Sequence, residues 1–296
     1  MARVGLNAHL VSRAASYRNA GISRYQWNLL VHLRQQRAAD YVVFVGERTR
    51  PPELQSRPGW EIRRSALPTA RPLARMLWEQ VIQPIEARRA RLDVMHALAP
   101  FAVSLVGAIP TVVTVYDVSY LTLPEAHPRL RQLYYRTFTG TAIRRAPAVF
   151  AISKHTKRDL VERLGVPAER VAIAYPGLEP GFRPPELSRD ELARWRTDRG
   201  LPERYVFFLG TLEPRKNVGR LIEAYAEVRR QLGDAPPLVV AGGKGWAYES
   251  IFAQVERLGL REWVRFPGFI PAAEQALWYG AAELFVYPSL YEGFGL

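Results

Sequence analysis

The chain has 296 residues, 48% of them apolar, enough to pack two domains of ordinary size and to exclude wholesale disorder. It has no cysteine, which excludes a disulfide scaffold, a thiolate metal site and a cysteine nucleophile, and suits a cytoplasmic location. The net charge of +13 sits entirely in residues 1–186, which carry 27 Lys and Arg against 14 Asp and Glu; residues 187–296 carry 14 of each.

In chain order, short β-rich runs alternate with amphipathic segments, the pattern of doubly wound parallel sheets. No apolar segment with a cleavage site stands at the N-terminus, so no signal peptide is read. Strands are predicted at Arg3–Asn7, Tyr41–Val45, Val94–Ala97, Thr111–Val115, Ala148–Ile152 and Val171–Ala174. Helices are predicted at Gly21–Arg37, Pro72–Arg91, Pro128–Arg145 and Lys154–Leu164. Residues 97–116 are uncharged over the length of a membrane span, but Pro100, Ser104, Gly107 and Pro110 interrupt them and Thr111–Val115 reads as a buried strand. The breaker-rich run Tyr175-Pro-Gly-Leu-Glu-Pro-Gly-Phe-Arg-Pro-Pro185 closes a first domain, 1–186.

A short helix over 188–199 follows, and the pattern restarts in a second domain, 187–296. Its expected strands are Tyr205–Leu209, Leu238–Ala241, Val264–Phe266 and Leu284–Tyr287, with helices at Asn217–Gln231, Tyr248–Leu258 and Pro271–Tyr279. Four strands with no covering helix lead to the expectation that this domain is C-terminally incomplete.

Several βα junctions carry chemistry. In Leu209-Gly-Thr-Leu-Glu-Pro-Arg-Lys-Asn217, Gly210 permits a tight exit from the sheet and Asn217 is an expected N-cap. Arg215 and Lys216 then stand at the positive end of a helix, where cations are electrostatically out of place unless an anion joins them. A pyrophosphate gaining charge as its bond to a sugar breaks would suit both. Ala241-Gly-Gly-Lys-Gly-Trp246, with Gly243 at its centre, offers backbone N–H groups at the same sheet edge. Phe266-Pro-Gly-Phe269-Ile270 reads either as backbone that pairs with a base edge or as a plain turn.

In the first domain, Gly21 opens a helix after Asn19-Ala20 and brings backbone near a phosphate, or simply starts the helix with Ser23 near its cap. Tyr116 and Asp117 end one strand at the ligand edge, and His96 lies on the strand before it, where a structural role is the commoner one. The chain closes on Pro288-Ser-Leu-Tyr-Glu292-Gly293-Phe294-Gly295-Leu296, a carboxylate followed by a glycine-rich turn.

Taken together, 210–217, 242–246 and 288–296 resemble the group 1, family 4 retaining glycosyltransferases of the GT-B fold. Gly21-Ile-Ser-Arg-Tyr25, Ile152-Ser-Lys154 and Tyr175–Pro184 match that family's spacing as well. The resemblance implies two Rossmann-like domains facing a cleft, the first for an acceptor and the second for a nucleotide-sugar. It implies that Arg215 and Lys216 bind the diphosphate in place of a divalent metal, so that neither cofactor nor metal is required. Glu292 would bond the donor sugar, Gly293, Phe294 and Gly295 would supply backbone contacts, and Gly210, Gly243, Phe269, Ile270 and Gly21 would complete the donor site. GDP-mannose and UDP-glucose are the donors the family suggests. A glycan or lipid-linked acceptor on a membrane would suit the basic first domain, through peripheral contact with an anionic inner face.

Two positions depart from the family pattern. Tyr116 stands where the family has a histidine that contacts the donor sugar, leaving Tyr116, Asp117 and Glu292 as the catalytic candidates. The family's second glutamate would fall at position 300, beyond the chain. No glycosidase-type carboxylate pair is recognisable, so retention would proceed with the leaving phosphate as proton acceptor. Rival readings are a GT-B sugar phosphorylase, a nucleotide-sugar epimerase, an inactive nucleotide- or glycan-binding remnant, and a basic nucleic-acid binder, which lacks an interleaved motif.

Overall fold

The computed structural model describes residues 1–11, 21–36, 38–46, 52–100, 103–104, 107–126, 129–179 and 181–295. They fall into two compact units, one running to Gly177 and joined by the stretch from Glu292, the other Leu178–Tyr291. The sequence alone put the divide at Glu186/Leu187.

The first unit is a seven-stranded sheet in the order β3-β2-β1-β4-β5-β6-β7, with every pair parallel. Its strands are β1 (Arg3–Asn7), β2 (Asp40–Val45), β3 (Trp60–Arg64), β4 (Val94–Ala97), β5 (Thr111–Val115), β6 (Val149–Ala151) and β7 (Val171–Ile173). Tyr41–Val45 is buried throughout, as a central strand covered on both faces must be. β3 is not among the strands expected from sequence. Its run Trp-Glu-Ile-Arg-Arg is mostly charged, and it pairs only with β2, at the sheet edge, where one rim of the strand meets water.

Two long helices of this unit depart from regular winding. Residues 72–89 form one continuous helix with a π-helical turn at Trp78–Ile82, and residues 129–145 another with a π-helical turn at Tyr135–Thr139. The Gly21–Leu33 helix stops short of the expected Arg37. The Lys154–Leu164 helix has the expected bounds, with Ser153 accepting from the Thr156 N–H at one end and Gly165 left-handed at the other.

The second unit holds a parallel sheet in the order β10-β9-β8-β11, from β8 (Val206–Leu209), β9 (Leu238–Ala241), β10 (Val264–Gly268) and β11 (Leu284–Phe285). β11 keeps only two of its four expected residues, while β10 runs two past Phe266. The Val218–Gln231 helix lays Val218, Leu221, Ile222 and Tyr225 on one core cluster with Phe208, Val240 and Val255. A second cluster on the other sheet face joins Trp195, Phe207, Val239 and Trp278. Truncating a fully buried member such as Ile222 to Ala would cost about 2–5 kcal/mol.

In both sheets the strand order reverses once, between β1 and β4 in the first and between β8 and β11 in the second. Ligands of open parallel sheets bind at the carboxyl ends of strands beside such a reversal.

Candidate functional site

In the second unit the edge beside β8 is drawn together by backbone. The Gly210 N–H donates to Ala241 O at 3.0 Å, the Gly242 N–H to Gly268 O at 2.7 Å and the Leu212 N–H to Gly243 O at 2.9 Å. Gly242 has φ of +139°, and a Cβ there would stand 1.8 Å from the Gly210 carbonyl oxygen, so only glycine fits. Sequence reasoning saw this run as a source of N–H groups. Its tightest demand is the close passage of two loops.

Arg215 and Lys216 occupy a 3-10 turn, Pro214–Lys216, directly before the Val218–Gln231 helix. The Arg215 guanidinium donates twice to Glu213 Oε1, at 2.8 and 3.1 Å, and through Nη1 to Tyr291 O at 2.9 Å. Glu213 is itself buried, so the pair holds the guanidinium plane in one orientation. Lys216 is buried too; its Nζ donates to the Tyr287 hydroxyl and lies 4.8 Å from that ring's centre.

Asn217 occupies the expected cap position but does not cap. Its backbone is left-handed with φ of +57°, and its side-chain amide donates to Pro288 O at 3.2 Å. The Leu290 N–H closes on Arg215 O at 3.0 Å. The loop after β11 is thus sewn to the cation loop after β8, across the strand reversal. The Ser289 hydroxyl in this loop is buried without a hydrogen-bond partner, a polar group that a ligand oxygen would satisfy. A neighbouring pocket of about 240 Å³, lined by Glu213, Asn217, Gly219 and Gln254 among others, is smaller than ordinary ligand cavities of roughly 300–1,000 Å³. Phe269 is half-buried and Ile270 belongs to the core with Phe207 and Trp278, which leaves only backbone there for a ligand.

In the first unit, the residues after β5 meet the end of the chain. Gly293 O accepts from the Ser153 and Thr156 hydroxyls, and Thr156 Oγ1 also donates to Tyr116 O at 3.1 Å. A Cβ on Gly293 would stand 1.8 Å from that same Tyr116 oxygen. Glu292 and Gly293 therefore stand beside Tyr116 and Asp117, and three catalytic candidates share one locality. Phe294 is exposed, its ring 6.3 Å from that of Tyr175, and Gly295 is exposed as well.

Tyr116 reaches the ligand edge with its backbone alone. Its side chain is buried, the hydroxyl donates to Leu98 O at 2.7 Å, and the ring meets Tyr25 edge-on at 5.3 Å. Burial first, and the neighbouring Tyr25 second, hold its pKa well above the ordinary phenol value. It is a neutral phenol committed to the core. Asp117 is half-exposed and accepts from the Ser119 N–H at 2.9 Å. His96 bonds Thr114 Oγ1 at 2.8 Å, and burial lowers its pKa to about 4, a neutral structural ring. Gly21 begins its helix as read, while Asn19 and Ala20 lie outside the described residues.

Sequence reasoning missed Ser153 and Thr156 as anchors of Gly293, and Tyr287 and Tyr291 as partners of the cations. The first pair carried a signal, a Ser-x-x-Thr cap matching family spacing; the tyrosines carried none. Among the described residues no group of three or more His, Asp or Glu is placed to hold a metal ion, and no helix is long and apolar enough to cross a membrane.

Comparison with known proteins agrees along the whole length. Residues 19–182 match the model for Glycosyltransferase Family 4, and residues 190–296 match that for Glycosyl transferases group 1. Over 193 residues the chain is 32% identical to the O-antigen chain mannosyltransferase B of Escherichia coli, covering 62% of this chain and 48% of that protein. It thus spans about half the length of this relative. Among solved structures, sucrose-phosphate synthase from Thermosynechococcus elongatus superposes with a TM-score of 0.75 at 17% identity, over 100% of this chain and 77% of the other. Anabaena HepE in complex with UDP-glucose superposes with a TM-score of 0.67 at 17% identity, over 98% and 74%. At these identities the likeness is one of fold, and the fold is GT-B.

Proposed function

This chain belongs to Glycosyltransferase Family 4, and we propose that it moves a hexose, mannose or glucose, from a nucleoside-diphosphate sugar to a hydroxyl of a glycan or lipid-linked acceptor, with retention and without a divalent metal. The observation that carries this reading is the pair Arg215 and Lys216, fixed at the strand reversal of the second sheet by Glu213, Tyr291 and Tyr287. A preorganised pair of cations costs no reorganisation when the diphosphate gains charge, which is the condition for stabilising a departing group. The mannosyltransferase relative and the UDP-glucose complex of HepE support donor and sugar class.

In this mechanism the second unit binds the donor and the first the acceptor. Arg215 and Lys216 neutralise the leaving diphosphate while the backbone at Gly210, Gly243, Phe269 and Ile270 and the Ser289 hydroxyl hold the nucleotide-sugar. Glu292 bonds the sugar hydroxyls, and the acceptor attacks on the face the diphosphate leaves, its proton passing to the leaving phosphate. Tyr116, locked on Leu98 O, takes no part in proton transfer and instead supports the backbone on which Gly293 rests. The reaction is placed in the cytoplasm, at the inner face of a membrane.

Calorimetry with GDP and UDP tests the carrying observation. The double variant Arg215→Ala/Lys216→Ala should lose at least about 100-fold in nucleotide affinity, since two charge-assisted contacts are worth roughly 3–6 kcal/mol together. Unchanged affinity in a folded double variant overturns the reading. Product NMR showing an inverted anomeric centre ends the retaining mechanism, and turnover abolished by EDTA ends metal independence.

The buried, engaged Tyr116 favours a second reading, binding of nucleotide or glycan without turnover. Nucleotide affinity without donor hydrolysis or transfer would select it.

A further inference from the structure

Beside the strand reversal of the first sheet, buried polar groups stand without a bond. His9 follows the end of β1, is buried, and has no hydrogen-bond partner for either ring nitrogen among the described residues. Its ring packs on Trp78 at 4.1 Å. Glu79, next to Trp78 in the helix over 72–89, is 1% exposed, and neither carboxyl oxygen has a hydrogen-bond partner among those residues. Arg75 Nε stands 3.8 Å from Oε1, beyond hydrogen-bond reach, and the same arginine is in electrostatic range of His9. His9, Arg75 and Glu79 thus share one locality, at the sheet edge where open parallel sheets bind ligands. An unpaired buried polar group costs about 1–3 kcal/mol, so its persistence calls for a partner.

Glu79 lies in the π-helical turn Trp78–Ile82, and the second such turn, Tyr135–Thr139, comes to the same place. Tyr134, which leads into it, is in electrostatic range of both Glu79 and Arg75. This turn adds the buried, unpartnered Thr139 hydroxyl. It also brings Tyr135 against Tyr120 at 5.5 Å, and the Tyr120 hydroxyl is buried and unpartnered too. Tyr120 is in electrostatic range of Asp117, so the row of orphaned groups runs from β1 toward a catalytic candidate. Tyr134 and Phe138, stacked at 5.3 Å, add an aromatic flank. Helical turns of this wide kind recur at functional sites.

We propose that this row is a binding site for an uncharged sugar ring of the acceptor, with His9 and Glu79 bonding its hydroxyls and Tyr120 extending the contact toward Asp117. Each orphaned group can both donate and accept. Burial, with Arg75 adding to it, lowers His9 to about 3, so one ring nitrogen carries hydrogen and the other a lone pair. Burial outweighs Arg75 at Glu79 and raises it to about 8, so the carboxyl keeps its proton at neutral pH. The Tyr120 and Thr139 hydroxyls have the same double capacity. A ligand that satisfies such groups must itself donate and accept, as sugar hydroxyls do. Inorganic phosphate is the poorer ligand, because it chiefly accepts and would leave the accepting half of these groups unpaired. Trapped water is the remaining occupant. The site rests on the proposed function for calling the sugar an acceptor, but not for its contacts.

Saturation-transfer NMR on the whole chain tests it, with methyl α-mannopyranoside and methyl α-glucopyranoside as probes and inorganic phosphate as competitor. At least one glycoside should bind, with excess GDP or UDP present as well, and phosphate should not displace it. His9→Phe keeps a ring against Trp78 and removes both nitrogens; Glu79→Met keeps the reach and removes both oxygens. Each should weaken the glycoside about tenfold, the loss of one well-placed hydrogen bond. Glu79→Gln still donates and accepts, so it should stay within about threefold of wild type. Both apolar variants should melt no lower than wild type, since each replaces an unpartnered buried polar group. Failure of the wild type to bind either glycoside leaves the row to trapped water and overturns the proposal. So do displacement by phosphate, undiminished binding in folded His9→Phe and Glu79→Met, a Glu79→Gln as weak as Glu79→Met, or melting well below wild type in both apolar variants. Calorimetry with GDP and UDP is read separately. Glycoside binding without nucleotide affinity sinks the transferase reading and leaves this site standing, while nucleotide affinity without glycoside binding sinks this site alone.

Discussion

The two units share a parallel, doubly wound plan and differ in what they do with charge. In the second, arginines are paired at the surface: Arg199 with Glu274, Arg204 with Glu283, Arg230 with Glu227 and Arg261 with Glu256, all within 3.1 Å. Half-buried Arg215 and buried Lys216 stand at its strand reversal. The first unit also pairs arginines, Arg3 with Glu61, Arg63 with Glu86 and Arg163 with Asp159, but three titratable rings near its own strand reversal, His9, His96 and Tyr116, are turned inward and held neutral by burial. One doubly wound plan thus carries two adjacent cations beside the reversal in one unit and buried neutral rings near it in the other. Side chains, not strand order, decide which.

That contrast can be broken at several points. The largest expected effect is the loss of nucleotide affinity on neutralising Arg215 and Lys216, for which no equivalent pair exists at the described edge of the first unit. Next is Gly242→Ala, which forces a methyl to 1.8 Å from Gly210 O at a backbone angle that L-residues avoid. It should destabilise the second unit by about 3 kcal/mol or more in denaturant titration, the range of severe backbone clashes. A loss under about 1 kcal/mol would mean that the two loops can part.

The pH dependence separates the units. Desolvation, with Arg75 adding to it, lowers His9 to about 3, and desolvation lowers His96 to about 4, so unfolded chains bind these protons below pH 6.5 while the folded unit refuses them. Glu79 acts oppositely: desolvation outweighs Arg75 and raises it to about 8, so the folded unit keeps a proton that the unfolded chain releases above 4.5. Stability of the first unit should therefore climb as pH falls from 8 to 6.5 and fall from there toward 4.5, each limb at about 1.4 kcal/mol per pH unit. Glu79→Gln should flatten the alkaline limb. In the second unit the side-chain bond from Arg230 lowers Glu227 to about 2, so that contribution is present above 4.5 and lost only below it. Hydrogen exchange read unit by unit should show the first unit loosening at the milder acidity; simultaneous loosening would refute the contrast.

The smallest effects concern two helix caps. Ser188 caps the Arg189–Asp198 helix in an exposed capping box, and Ser188→Ala should cost about 1 kcal/mol. Ser153 caps a helix and also holds Gly293 O from a buried position, so Ser153→Ala should cost about 1 kcal/mol more and raise exchange at residues 292–295. Equal losses at the two serines would show that the terminal stretch is anchored otherwise.

Much of the fold was legible because its signals are local. Apolar runs such as Tyr41–Val45 and Leu238–Ala241 read as strands, and the Lys154–Leu164 helix has the bounds its pattern gave, with Ser153 and Gly165 closing it in the structure. β3 escaped because an edge strand keeps little of the apolar pattern. At the site, the identity of Arg215, Lys216 and the glycines was legible, but the roles of Asn217 and Tyr116 were not. Asn217 has the residue type of a cap and spends its amide on Pro288 O, and Tyr116 sits at a strand end yet turns its hydroxyl to Leu98 O.

The sequence by itself determined the alternation of strands and helices, the two adjacent cations, the glycines that admit close backbone and the gathering of positive charge in residues 1–186. These follow from local conformational preference and composition, which neighbouring residues set. Only the tertiary structure decided that Gly293 would rest on Ser153, 140 positions earlier, and that Arg215 would be braced by Tyr291 and Lys216 by Tyr287. Desolvation and partnership depend on what the folded chain brings near each group, and those neighbours come from distant parts of the sequence.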